Sequence, residues 1–120
     1  MKAQKAISIL FIIGLFIVGC SPEVIDRAEL VERNGITYKV NSEKGFTGTA
    51  VEKYENGQKE TEGTWEDGKE DGVFTKWYQN GQKKSEKHYK DGKRNGVWTE
   101  WYENGQKKYE VTYKNGVQIE

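Results

Sequence analysis

A block of 24 residues occurs three times, and that period limits the fold of this chain more than any other property. Tyr54-Glu55-Asn56-Gly57-Gln58-Lys59 reappears as Tyr78-Gln79-Asn80-Gly81-Gln82-Lys83, and again as Tyr102-Glu103-Asn104-Gly105-Gln106-Lys107. A second series keeps the same step: Trp65-Glu66-Asp67-Gly68, Tyr89-Lys90-Asp91-Gly92 and Tyr113-Lys114-Asn115-Gly116. Gly48, Gly72 and Gly96 fall into the same register. A fixed period of this length implies stacked units, each too small to bury its apolar face alone.

Each unit reads as strand, Asn-Gly turn, strand, Asp/Asn-Gly turn. Asn-Gly and Asp-Gly favour two-residue hairpin loops, because both central residues of a type I′ turn need positive φ. Short turns join only antiparallel neighbours. The expected fold is therefore all-β: an elongated, curled antiparallel meander built from 24-residue hairpin units. Composition agrees. Phe, Trp and Tyr number 15, of which only Phe11 and Phe16 precede Cys20, whereas Leu30 is the only leucine after it. Aromatics on a polar background suit strands, and the leucine spacing of a helical core is missing.

Register follows from the turns. If Asn104-Gly105 is a two-residue loop, Tyr102 pairs with Lys107, Trp98 with Val111 and Gly96 with Tyr113. Applied to every unit, this rule puts Tyr54, Trp65, Phe74, Tyr78, Tyr89, Trp98, Tyr102, Tyr109 and Tyr113 on one face as an aromatic ladder. Cross-strand aromatic pairs contribute roughly 0.2–1 kcal/mol each. The opposite face receives Val51, Val73, Val97, Trp77 and Trp101, with Trp77 beside Lys84 and Trp101 beside Lys108 as expected cation–π pairs. Trp77 and Trp101, with Tyr78 and Tyr102 next to them, are the candidate partner-binding residues. The plainer role for the two tryptophans is packing over neighbouring strands and lysine stems, and for the two tyrosines a place in the ladder.

The start of the chain points to export. Lys2 and Lys5 precede an apolar run from Ala6 to Val18, too short for a bilayer span but suited to a signal-peptide core. Ile17-Val18-Gly19-Cys20-Ser21 resembles the bacterial lipobox. The resemblance implies cleavage before Cys20, a diacylglycerol on its thiol and acylation of the new amine. Ser21 resembles the pattern sent to the outer membrane in a diderm host; otherwise the anchor is the outer face of the cytoplasmic membrane. Residues 1–19 are thus a leader, 20–28 a tether, 29–45 a hairpin around Asn34-Gly35 with its loop, and 46–120 the three repeats.

The repeat residues resemble the MORN-repeat variant found in bacterial proteins. Tyr89–Lys108 shows the pattern whole: Tyr-Lys-Asp-Gly-Lys-Arg-Asn-Gly, Val-Trp-Thr-Glu-Trp-Tyr, Glu-Asn-Gly-Gln-Lys-Lys. Proteins of this kind are often labelled antitoxin-like, and many carry a lipoprotein signal. The first unit departs most: Ala50 stands where later units have Phe74 and Trp98, and Lys53 where they have Trp77 and Trp101. Lys87 and His88 replace Gly63 and Thr64.

No catalytic set emerges. His88 is the only histidine and Cys20 the only cysteine, so no zinc set or marked nucleophile–base pair can be assembled. Carboxylates recur with the repeat, as solvated strand positions do. No enzyme activity, metal or cofactor is expected. The formal charge is +0, and removing Lys2 and Lys5 from the 19 basic residues leaves 17 against 19 acidic, or −2. With no basic block, nucleic acid is not an expected partner. The expected role is a non-enzymatic interaction module, held to the membrane by acyl chains on Cys20 and meeting a protein partner. An immunity or antitoxin-type lipoprotein masking a toxin, or an envelope carbohydrate binder using tryptophan stacking, are the alternatives. The sequence names neither the partner nor an oligomeric state.

Overall fold

The computed structural model describes residues 23–119. Eleven strands follow in order: β1 (Glu23–Asp26), β2 (Leu30–Arg33), β3 (Ile36–Lys39), β4 (Gly48–Lys53), β5 (Lys59–Glu66), β6 (Lys69–Glu70), β7 (Gly72–Trp77), β8 (Lys83–Lys90), β9 (Lys93–Trp101), β10 (Lys107–Lys114) and β11 (Val117–Gln118). Nine of them form one open sheet in the order β1-β4-β5-β7-β8-β9-β10-β11, with β6 also on β5. The repeats thus form the antiparallel meander expected, extended over 62 × 35 × 26 Å.

The two turn series differ in kind. Asp67-Gly68, Asp91-Gly92 and Asn115-Gly116 have positive φ at both positions, as does Asn34-Gly35 between β2 and β3. These are the two-residue loops expected. The Asn-Gly-Gln turns are not. In the third unit, the Gly105 N–H donates to the Tyr102 carbonyl and the Tyr102 N–H to the Gln106 carbonyl. That closes a three-residue loop with glycine alone left-handed (φ 92°). The Asn104 Oδ1 accepts from the Gln106 N–H at 2.9 Å, as Asn56 does from Gln58 and Asn80 from Gln82. This side-chain bond favours the longer loop.

The longer loop shifts pairing by one residue, and a bulge restores it. Trp101 pairs with Lys107, but Glu100 pairs with Tyr109, leaving Lys108 as the extra residue. Glu60 and Lys84 are skipped in the same way. Loop and bulge cancel, so Trp98–Val111 and Gly96–Tyr113 pair as the two-residue rule predicts. Tyr102–Lys107, Trp77–Lys84 and Trp101–Lys108 do not.

The core is an aromatic chain running across the sheet. Phe46, Trp65, Phe74, Tyr89, Trp98 and Tyr113 meet in sequence at centroid distances of 6.0, 4.7, 5.1, 5.3 and 5.1 Å. Such tilted and edge contacts contribute about 0.5–1.5 kcal/mol each beyond burial. Gly63 makes room for the Phe74 ring: a Cβ there would lie 2.4 Å from it. Five members of the expected nine-ring ladder are present. Tyr54, Tyr78 and Tyr102 precede the loops and lie outside this chain of rings. Tyr109 stands on the ladder face without stacking. Phe46, absent from the expectation, begins the ladder.

The first unit is covered at its outer edge. Residues 23–28 are not a free tether: β1 lies parallel on β4, from Glu23–Gly48 to Asp26–Val51. A 3₁₀ turn (Arg27–Glu29) follows, capped by Asp26. The β2–β3 hairpin then docks through a backbone knot, in which Thr37 N–H meets the Gly68 carbonyl, Gly68 N–H the Phe46 carbonyl, and Phe46 N–H the Thr37 carbonyl. Residues 1–22, including the expected leader and Cys20, lie outside the described residues.

Candidate interaction surfaces

Alternation places Val73, Thr75 and Trp77 on the face opposite the ladder, with Val97, Thr99 and Trp101 one unit on. Glu62, Thr75, Glu86, Thr99 and Glu110 form one row across this face. Lys59 reaches Glu62 and Lys83 reaches Glu86, each at 2.8 Å, and Lys107 reaches Glu110. These ion pairs are solvent-facing and contribute little to stability. Their geometric effect is larger. The Lys59 Nζ also sits 5.8 Å from the Trp77 ring centroid, so Trp77 packs over a lysine from the preceding unit. Trp77 and Trp101 remain half-buried, and Val73 and Val97 are each 38% exposed.

Tyr78 and Tyr102 belong to a different surface. The Tyr54 hydroxyl donates to the Trp77 carbonyl at 2.6 Å, and the Tyr78 hydroxyl to the Trp101 carbonyl at 2.8 Å. Each tyrosine straps its loop to the next unit. The Asn80 amide adds a bond to the Glu103 carbonyl at 3.0 Å. Tyr102 repeats the position with no following unit among the described residues and is 50% exposed. Lys84 and Lys108, displaced by the bulges, approach Tyr78 and Tyr102 at 5.6 and 5.8 Å instead of the tryptophans. The four candidate residues therefore form two pairs: Trp77 and Trp101 on the face opposite the ladder, and Tyr78 and Tyr102 beside the loops, outside the stacked rings expected to hold them.

The ladder face holds a cleft of about 300 Å³ near its capped end, lined by Arg27, Glu52, Trp65, Glu70, Phe74 and Lys76. Ala50 and Gly63 lie in its wall. Arg27 lies 5.0 Å from the Trp65 ring, and the buried Trp65 Nε1 has no hydrogen-bond partner among the described residues. His88 serves the ladder through its backbone, accepting the Trp98 Nε1–H at 2.9 Å. Among the described residues, no three His, Cys, Asp or Glu side chains are grouped to hold a metal.

The family model of the MORN repeat variant matches residues 46–67, 70–91 and 94–115, more than half of the chain. The chain belongs to the MORN repeat variant family. No curated protein and no solved structure matches the chain. MORN repeats are in general non-catalytic modules that engage proteins or membranes. The three matched MORN units coincide with the three hairpins, and the structural cap, β1 with the β2–β3 hairpin, lies before the first of them.

Sequence reasoning missed Phe46 and Arg27. Phe46 occupies the place held by Glu70 and Arg94 in later units, so no periodic aromatic marked it. Arg94 shows what that position does, lying 4.6 Å from the Trp98 ring and 5.2 Å from the Tyr113 ring.

One titration follows from the ladder face. A hydrogen bond to the Glu100 carboxylate, reinforced by burial and by the charge of Glu100, pushes the Tyr109 phenol up to about 12. The fold favours the neutral phenol, so this contribution is present below the ordinary value of 10.0 and lost as pH rises through about 12. In a spectrophotometric titration, the step missing from Tyr109→Phe should have its midpoint near 12, and Glu100→Gln should move it down toward 10.0. An unmoved midpoint would remove Glu100 as the cause.

Proposed function

We propose that the chain is a lipid-anchored, non-enzymatic protein-interaction module of the cell envelope. The observation that carries this reading is the division of labour between the two faces. The ladder face spends its rings on one another, whereas the opposite face repeats Val-Thr-Trp at 24-residue intervals and leaves both tryptophans half-buried. Rigid repeat sheets suit protein partners, and half-exposed tryptophans are frequent energetic anchors in interfaces. The lipobox-like segment ending at Cys20 supports export and acylation. On this reading the anchor is the outer membrane of a diderm host, or the outer face of the cytoplasmic membrane where there is only one.

The test is an in-cell crosslink of the full-length lipidated protein, with partners identified by mass spectrometry and acyl groups on Cys20 read from the intact mass. One stoichiometric protein partner is expected. The Trp77→Ala/Trp101→Ala double variant should lose at least about tenfold of that capture, since truncated interface anchors typically cost 2 kcal/mol or more. A toxin-like partner would make this an immunity lipoprotein. Recovery of envelope glycan and abundant neighbours alone would sink the interaction reading and favour carbohydrate binding. An unacylated Cys20 would sink the anchor.

A further inference from the structure

The two ends of the sheet are chemically different. At one end β4 is sealed by β1. At the other, β10 is paired on its outer edge only at Tyr113–Gln118 and Lys114–Val117, with one further bond from the Ile119 N–H to the Thr112 carbonyl. From Lys107 to Val111 no strand covers that edge among the described residues. Earlier units show what belongs there. The start of the second unit repeats the arrangement, with Trp65–Glu70, Glu66–Lys69 and an Asp71 N–H to Thr64 carbonyl bond. There the edge is then completed by β7, and in the following unit by β9.

We propose that the free edge of β10 is a strand-addition site for an extended segment of a partner protein, carrying aromatic-Thr-polar-aromatic like Phe74–Trp77 and Trp98–Trp101. The internal junctions fix the register. Lys87, Glu86 and Ser85 pair with Trp98, Thr99 and Glu100. By the 24-residue step, the partner's aromatic faces Val111, its threonine Glu110 and its polar residue Tyr109. The aromatic then stacks on Tyr113, as Trp98 stacks on Tyr89 at 5.3 Å. The next residue offers its carbonyl to Tyr102, whose counterparts Tyr54 and Tyr78 already bond the carbonyls of Trp77 and Trp101. Backbone pairing supplies affinity and alternate side-chain positions supply selectivity, as in other strand-addition complexes.

A second copy is a poor occupant. Its strands of the required pattern, β7 and β9, are paired on both edges, and its first-unit strand β4 is blocked by β1 and carries Ala50 in place of the aromatic. The site rests on the interaction reading above, but it is an edge distinct from the Trp77–Trp101 face, so the two can fail separately.

The experiment uses the full-length protein in detergent micelles and a labelled peptide with the sequence of residues 96–102, Gly-Val-Trp-Thr-Glu-Trp-Tyr. Saturable binding by fluorescence anisotropy is expected, with new hydrogen-exchange protection confined to Lys107–Thr112, and none with a scrambled peptide. Glu110 shares its strand side with Thr112, so its N–H faces outward, and Glu110→Pro removes an edge donor without touching the β9 ladder. That variant should abolish binding. Tyr102→Phe, an exposed change that leaves folding intact, should weaken it about two- to tenfold, the loss of one hydrogen bond. Absent binding, equal binding of the scramble, protection elsewhere, or indifference to both variants overturns the proposal. So does a dimer in which Lys107–Thr112 is already protected without peptide.

Discussion

Trp98→Ala should lower the stability of the repeat domain by about 3–5 kcal/mol, the range for truncating a buried tryptophan. Trp98 is 7% exposed and stands between Tyr89 and Tyr113 in the ladder. Lys87 and Arg94 lie over its ring at 4.9 and 4.6 Å, and its indole N–H holds the His88 carbonyl. Alanine would open a cavity, part the ladder and leave two long cationic side chains without the surface they cover. Trp98→Phe should cost much less, because Phe74 fills the equivalent place one unit earlier. Denaturant unfolding with both variants measures the difference. A loss below about 1 kcal/mol for alanine would mean that the ladder does not hold the units together.

The second large effect is a contrast between chemically identical substitutions. Gly68, Gly92 and Gly116 occupy the same turn position with φ of 83°, 80° and 88°. A Cβ at Gly116 meets nothing within 4 Å, whereas at Gly68 it lies 2.3 Å from Ile36 Cγ2 and 2.9 Å from the Thr37 carbonyl. Gly116→Ala should therefore cost only the left-handed backbone penalty, about 1–2 kcal/mol. Gly68→Ala carries the same penalty and also pushes the β2–β3 hairpin off the sheet, adding the 1–3 kcal/mol typical of overpacking. Thermal melts of the two variants separate strain from docking. Equal losses would show that the hairpin yields freely and is not part of the cap.

Why some of this was legible in the sequence and some was not comes down to periodicity. The strands, the Asp-Gly turns and the pairing of Trp98 with Val111 rest on patterns repeated three times, and alternation fixes which side chain faces where. Asn-Gly alone does not distinguish a two-residue loop from a three-residue one. The recurring Gln58, Gln82 and Gln106, whose N–H groups meet the asparagine side chains, carried that signal. The bulges then concealed the difference by restoring the register, and only the residues beside the loop were misplaced. Trp77 lies on the face opposite the ladder, as alternation predicts, whereas Tyr78, expected in the ladder, reaches across to the next unit. Phe46, Arg27 and β1 occur once, so no repetition announced them. Their positions depend on tertiary contacts with Trp65 and β4.

The covered end and the open end also set a direction in space. Cys20 precedes β1 by three residues, a span of at most about 10 Å of extended chain. From β1 the sheet crosses β4, β5, β7, β8 and β9 before reaching β10. Six strand spacings of about 4.8 Å put the open edge roughly 29 Å across the sheet from β1, the strand nearest Cys20. On the anchoring proposed above, such a sheet would work as a boom. Its sealed root would then stay beside the bilayer, its reach would be set by the number of units, and each added hairpin would carry the tip about 10 Å further without rebuilding either end.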